Sequence, residues 1–564
     1  MHHTHDDLHS ASRRDYIALV LAHRTHLILS LIVLIGLVPR VWWMTHEAAV
    51  VASDGAEYAR MAEHLFHDNA LIGNFDGPEI IYAPLYPVLI AGTMVLIPNS
   101  ETAAHAVSLV AGIATVILIF LIADYMYGRR TGYVCAFLAS VHPLLVALSG
   151  TVYNEALYVA GFMAVVYCGL RALELRRRRD CLALGICLGL AYLTRVEAFV
   201  YVLFFLVALL VAGVLRKRVR SAVVGSVIVV AAFGILASPY VAFFYNHTGS
   251  VRLEAKFDMN YTQARNRLAG MNGIEAEYSI ASDGTAKGPM LAPSEFADGT
   301  PYPHRLVDKL WTLAAMAKYN ASSIYNYFTY TAIGSPVLLG LVALGLFGQP
   351  WSTRRTVCEI VVVAMAASIV LIVAASPAGE FRYFLPIVPL LLLWAGKGLG
   401  VLRQWILHWE FLRGKRAFQQ TLFASALPLG ALVTMLAAAV YGIGITKTAF
   451  YWEHSTAAIA ERDAALWLQR YDPGPKLIAV RAAVFPYYAK GTLINLPFGD
   501  SQATIRYLDR RKVDFVVLES LFLQPLPMLA KWLADGIPDP RAQVIYDKTN
   551  TSGERVVIYR WQPG

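Results

Sequence analysis

Apolar stretches long enough to cross a hydrocarbon layer of about 30 Å recur along most of this chain. They fall at roughly 26–44, 102–123, 132–149, 153–173, 182–195, 198–215, 221–244, 328–347, 357–375, 384–402 and 420–446. Composition agrees, with 57% hydrophobic and only 15% charged residues, where soluble domains carry about 25% charged. The expected fold is a polytopic α-helical membrane protein of about eleven transmembrane helices. Residues 1–24 are polar, and no short apolar run with a cleavage site follows them, which points to a retained first helix. The five cysteines lie in or beside apolar runs, with no disulfide framework and no zinc spacing.

The basic residues set the orientation. Twenty of them cluster at 13–24, 129–130, 171–179, 216–220, 354–355 and 403–416, while the intervening short loops hold only Arg60, Arg195 and Arg382. The clusters mark the cytoplasmic side, so the net charge of +9 reflects topology rather than nucleic-acid binding. The N-terminus is then cytoplasmic. Two short helices must turn near Thr194-Arg195-Val196-Glu197, and the C-terminus lies outside.

The expected division is a transmembrane domain over 1–447 and an extracytoplasmic α/β domain over 448–564. The first carries an outer loop at 45–101, whose apolar run Pro84–Pro98 reads as interfacial or re-entrant, and a long outer loop at 245–327. In the second, Leu477–Val480, Asp514–Leu518, Val544–Tyr546 and Val556–Tyr559 read as strands, with helical stretches at 500–511 and 523–535. Four glycosylation sequons, at Asn246, Asn260, Asn320 and Asn550, fall on the outer side and matter only in a glycosylating pathway.

The three outer arginines break the charge asymmetry. A guanidinium suits phosphate geometrically, which suggests recognition of a lipid phosphate. The structural alternative is three local ion pairs, with Glu57, Glu197 and Glu380. Asp54 fits either a helix N-cap, with Glu57 completing a capping box, or a general base. Glu155 reads as a polar contact in the same outer cavity or as a satisfied interfacial carboxylate. Tyr82 and Tyr86 suit an aromatic belt. His247 and His304 are lone histidines with little claim to a metal.

Together these residues resemble a family. Asp54, Tyr58-Ala59-Arg60 and Leu65 come first, then Pro84-Leu85-Tyr86-Pro87 and Asn154-Glu155-Ala156-Leu157. Leu193-Thr194-Arg195-Val196-Glu197 and Phe381-Arg382-Tyr383-Phe384-Leu385-Pro386 complete the set. Their order and spacing over residues 26–402 resemble the GT-C glycosyltransferases, in particular the protein mannosyltransferase and aminoarabinose transferase group. The resemblance implies a polyprenyl-phosphate-linked sugar donor and a lipid, glycan or protein acceptor. It also implies inverting transfer on the extracytoplasmic face of the cell membrane. Asp54 takes the catalytic place, and Glu57, Arg60, Tyr82, Glu155, Arg195, Glu197, Arg382 and Tyr383 are the candidate substrate-binding set. The sequence departs from the family where Gly55 replaces a second acid beside the first. It departs again where Tyr82-Ala83 replaces the Glu-Lys of the aminoarabinose transferases. No cofactor is required by this reading, and a divalent metal is left open. The rival function is a transporter or flippase of lipid-linked sugars, which would need neither the long first loop nor the external domain.

Overall fold

The computed structural model describes residues 3–51, 53–75, 77–253, 256–291, 306–331, 336–376, 381–408, 429–430, 432–433, 455–520 and 526–562. Its first part is helical: α1 (His3–His46), α2 (Ser53–Asp68), α3 (Leu85–Met94), α4 (Ser100–Tyr127), α5 (Arg129–Val141), α6 (Pro143–Gly150), α7 (Glu155–Ala172), α8 (Arg178–Thr194), α9 (Phe199–Leu215), α10 (Val219–Thr248), α11 (Lys256–Leu268) and α12 (Gly273–Tyr278). Further apolar helices follow at Thr353–Ala375 and Ile387–Leu407.

Among the described residues seven helices are long and apolar enough to cross a membrane. An eighth crossing forms if α5 and α6, bent by 60°, are one span. The bend has a local cause: Pro143 has no amide hydrogen to continue the ladder, and it keeps His142 extended at φ −66°, ψ 122°. This is a multi-pass membrane protein. The count of eleven exceeds these eight for three identifiable reasons. Helix α8 has only 17 residues. The stretch expected at 328–347 holds a helix of 12 residues, Pro336–Phe347. The span at 420–446 lies, but for four residues, outside the described residues.

The turn expected at 194–197 is present. Helix α8 stops at Thr194, Arg195 is extended, and one turn of 3₁₀ helix at Val196–Ala198 leads into α9. The run after Pro84 forms the ten-residue α3, too short to span and followed by the exposed Val95 and Leu96.

The C-terminal region is a five-stranded sheet, β1 (Leu477–Val480), β2 (Thr492–Asn495), β3 (Phe515–Glu519), β4 (Ala542–Thr549) and β5 (Arg555–Trp561), in the order β2-β1-β3-β5-β4. Strands β1, β2 and β3 are parallel, and β5 runs antiparallel to both β3 and β4. Alternate residues of β1 and β3 enter different cores, as strand geometry requires. Ala479, Val516 and Leu518 pack with Leu508, Leu529 and Trp532. Ile478, Val480, Phe515 and Val517 pack instead in one continuous core with Ala56, Tyr58, Met61 and Tyr86 of α2 and α3. The sheet therefore shares its hydrophobic core with the segment after α1.

Candidate active site

Helix α2 sets the frame. It starts at Ser53, so Asp54 stands inside the first turn rather than at the cap. The expected capping box is absent: the Asp54 carboxylate accepts from Arg382 Nη1 and from the Tyr82 hydroxyl at 3.0 Å, and Glu57 turns to Asn74. Four other elements converge on Asp54. The first turn of α7 brings Glu155, the α8–α9 turn brings Arg195 and Glu197, the 3₁₀ turn Phe381–Phe384 brings Arg382 and Tyr383, and the first residue of α11 brings Lys256.

The result is a narrow cleft lined by Asp54, Tyr58, Tyr82, Asn154, Glu155, Arg195, Glu197, Lys256, Arg382 and Tyr383. Arg195 donates to Glu155 Oε1 at 3.1 Å and lies 3.7 Å from Glu197. Its guanidinium stacks 4.4 Å from the Tyr383 ring and 5.3 Å from the Tyr158 ring. Arg382 bridges Asp54 and Glu155, reaching Glu155 Oε1 at 3.8 Å. Glu155 Oε2 is buried and has no partner among the described residues. Asn154 Nδ2 donates to the Thr194 carbonyl at 3.0 Å, tying α7 to the arginine-bearing turn. Three cations thus face three carboxylates, a neutral cluster that keeps the buried charges compatible with their surroundings.

Burial pushes the Asp54 carboxyl up, but the Arg382 and Lys256 charges and the hydrogen bonds from Arg382 and Tyr82 outweigh it and hold Asp54 below the usual carboxylate range. Burial, followed by the Asp54 charge, raises the Tyr82 phenol, which keeps it protonated and a donor. Asp54 is therefore an ionised acceptor.

A second, larger cavity of about 750 Å³ adjoins the cleft, sharing Arg195, Val196, Glu197, Lys256 and Tyr383 with it. Its remaining walls are largely apolar and aromatic, including Tyr192, Phe199, Val200, Leu313, Met316, Ile369 and Ile372. Its charged residues are Arg195, Glu197 and Lys256 at the shared boundary and the ion pair of Arg252 with Asp258.

Of the residues singled out in the sequence, Asp54, Tyr82, Glu155, Arg195, Glu197, Arg382 and Tyr383 come together in the cleft. Glu57 and Arg60 do not line it. Glu57 accepts from the Asn74 backbone N–H at 2.8 Å and from Asn74 Nδ2 at 2.9 Å. Arg60 donates to the Pro486 and Tyr487 carbonyls at 3.0 and 3.1 Å and pairs with Glu63, not with Glu57. Arg195 does pair with Glu197, whereas the pairing of Arg382 with Glu380 lies outside the described residues. Asn320 is buried, its amide donating to the Ala374 and Ser376 carbonyls at 3.0 and 2.8 Å. Among the described residues no group of three or more His, Cys, Asp or Glu is arranged to hold a metal. His247 bonds the Phe243 carbonyl of its own helix, and His304 lies outside the described residues. Sequence reasoning missed Lys256, one lysine in a polar loop of balanced charge. Nothing in the pattern of that loop sets it apart.

The family of dolichyl-phosphate-mannose-protein mannosyltransferases matches residues 80–243. That stretch includes Tyr82, Glu155, Arg195 and Glu197. The oligosaccharyltransferase of Archaeoglobus fulgidus, solved with a tethered acceptor peptide, superposes with a TM-score of 0.60 at 12% identity, over 96% of this chain and 74% of that one. ArnT from Cupriavidus metallidurans superposes in the apo state with a TM-score of 0.54 at 14% identity, over 96% and 98% of the two chains. Its complex with undecaprenyl phosphate gives 0.50 at 14% identity, over 94% and 97%. The chain has the fold of these GT-C membrane glycosyltransferases, and over residues 80–243 it is similar to the mannosyltransferase family. No curated protein sequence matches it. At these identities the GT-C likeness to the solved structures is one of fold, and the roles of individual residues rest on the cleft.

Proposed function

We propose that this GT-C protein transfers a sugar from a polyprenyl-phosphate donor to an acceptor hydroxyl on the extracytoplasmic face of the membrane, with inversion at the anomeric carbon. One observation carries the reading: an ionised carboxylate, Asp54, and a guanidinium, Arg382, meet in a cleft that adjoins a large apolar cavity. A polyprenyl tail suits the cavity, and the boundary cations Arg195 and Lys256 stand where its phosphate would lie. ArnT was solved with undecaprenyl phosphate bound, a ligand of this class.

The neutral cluster suggests how binding prepares reaction. A donor phosphate engages Arg382 together with Arg195 and Lys256, which draws the guanidinium away from Asp54. The freed carboxylate accepts the proton of the acceptor hydroxyl while that oxygen bonds to the anomeric carbon and the bond from carbon to phosphate oxygen breaks. Polyprenyl phosphate leaves carrying the electron pair, and the cations stabilise its growing charge. Released from the guanidinium that holds it down, Asp54 becomes the stronger base just as the acceptor is bound. Glu155 Oε2 is available to a sugar or acceptor hydroxyl.

The test is transfer of labelled sugar from a mixed pool of polyprenyl-phosphate sugars in membranes containing wild type or Asp54→Asn at equal expression. Label in an inverted product with wild type alone supports the scheme. Full activity in Asp54→Asn, or a retained configuration, overturns it.

A further inference from the structure

Beside the cleft lie two carboxylates that the scheme does not use, one a turn along α2 from Asp54 and the other in the loop before α3. Glu57 is 1% exposed and Glu79 is 3% exposed. They converge beside Gly73, where an added methyl carbon would fall 1.5 Å from Glu57 Oε1 and 3.2 Å from Glu79 Oε2. The two side chains hydrogen-bond to each other. Among the described residues neither makes an ion pair; Arg60 is held one step away, its Nε donating to Asn74 Oδ1 at 3.4 Å.

Two facing carboxylates without a cation hold together when one proton lies between them. Each carboxyl also accepts two N–H groups, Glu57 from the Asn74 backbone and Nδ2 at 2.8 and 2.9 Å and Glu79 Oε1 from Ile81 and Tyr82 at 2.7 and 3.1 Å. Burial raises both carboxyls, and the neighbouring Glu79 charge carries Glu57 well above the usual range, so Glu57 is the partner that keeps the shared proton. Tyr82, whose backbone Glu79 fixes, donates through its hydroxyl to Asp54 Oδ1.

We propose that Glu57 and Glu79 form a one-proton carboxyl–carboxylate lock that positions Tyr82 against Asp54, and that loss of this proton disengages the base. The proposal rests on the reading of Asp54 as that base. Both glutamates are positioning residues. The ionisable groups around the lock are Asp54, Tyr58 and Arg60 from α2, Tyr82 from its own loop, and Lys476 beside Arg60 from the sheet region. Among the described residues Arg60 reaches the pair through Asn74, and its donors are directed to Asn74, Glu63 and two carbonyls.

The test is steady-state transfer in membranes from about pH 6 to pH 10. Wild type should lose kcat along an alkaline limb, with donor KM changing less than about twofold. Glu57→Gln donates the same hydrogen bond but cannot ionise, so it should retain most activity and lack the limb. Glu57→Leu should lower kcat at least ~10-fold, the scale of a displaced reacting group. A wild-type limb in Glu57→Gln overturns the lock, even if Glu57→Leu fails to fold. So does a limb abolished by EDTA, which would make the pair a cation site. Activity in Asp54→Asn would remove the base assignment while the Glu57→Gln limb still reports on the lock, so the two failures are distinguishable.

Discussion

Two regions of this protein bury facing acids and neutralise them differently. In the cleft, Asp54, Glu155 and Glu197 are matched by Arg195, Lys256 and Arg382. In the sheet region, Glu461 of the helix Thr456–Tyr471 faces Glu519 at the end of β3, both at most 2% exposed, and the two carboxyls hydrogen-bond to each other. Arg481, just past β1, is the cation that Glu519 feels. Burial raises Glu519 to about 7, and burial with the Glu519 charge raises Glu461 further. Guanidinium pairing keeps a carboxylate ionised and exchangeable, ready to trade its partner for a ligand. Proton sharing makes a carboxyl part of the packing. The first arrangement suits chemistry and the second suits cohesion.

If the contrast holds, removing a cleft charge should abolish transfer and leave folding intact. Asp54→Asn should lower kcat about 10³-fold, within the span of general-base contributions, while Glu519→Gln stays within about twofold of wild type. Arg382→Ala should cost about 10²-fold in transfer, and Arg382→Lys should recover only part because a point charge lacks the fork. A small loss in Arg382→Ala would shift the phosphate to Arg195 and Lys256.

Tyr82→Phe sharpens the picture within the cleft. Losing one hydrogen bond to Asp54 should cost roughly 1 kcal/mol, or about fivefold in kcat. It should also move the acid limb of the rate profile upward, since that bond helps to depress Asp54. An unmoved limb would show that the Arg382 and Lys256 charges set it.

The smallest effect concerns stability. Because the folded Glu519 titrates above its unfolded value, the folded state binds more protons, and stability falls as pH rises. Its contribution is complete below the ordinary value of 4.5 and is lost as pH rises through about 7. Thermal unfolding in detergent should show the midpoint of the sheet region falling by a few degrees across that window in wild type and staying level in Glu519→Gln.

How much of this was legible beforehand depends on what each feature needed. Spans announce themselves through runs of apolar residues, so most of the bundle, the break at Arg195 and strands β1 and β3 were readable. Strand β2 has four residues directly after Gly491 and too little pattern to register. Arg195 and Arg382 stood out because charge is scarce in their surroundings, and Asp54 because it opens the first outer helix, as a cap or a base, and fits the family resemblance. Lys256 and Asn74 sit in polar segments, where one more polar side chain carries no contrast. The directions of Glu57 and Arg60 were beyond reach for another reason. Their partners lie 17 and 426 residues away, and helical spacing indicates a face but not what covers it.

The contacts that complete the loop after α1 also impose an order in time. The Leu493 N–H donates to the Asn74 carbonyl at 2.6 Å, and Lys490 pairs with Glu63 at 2.8 Å. Asn74, which holds Glu57 in place, leaves the ribosome some four hundred residues before Leu493 does. At about 5–20 residues per second that interval is roughly 20–80 s. The nascent chain would pass it inserted in the membrane with Asp54 on an unfinished support, which in the proposed scheme keeps transfer silent until β2 is made.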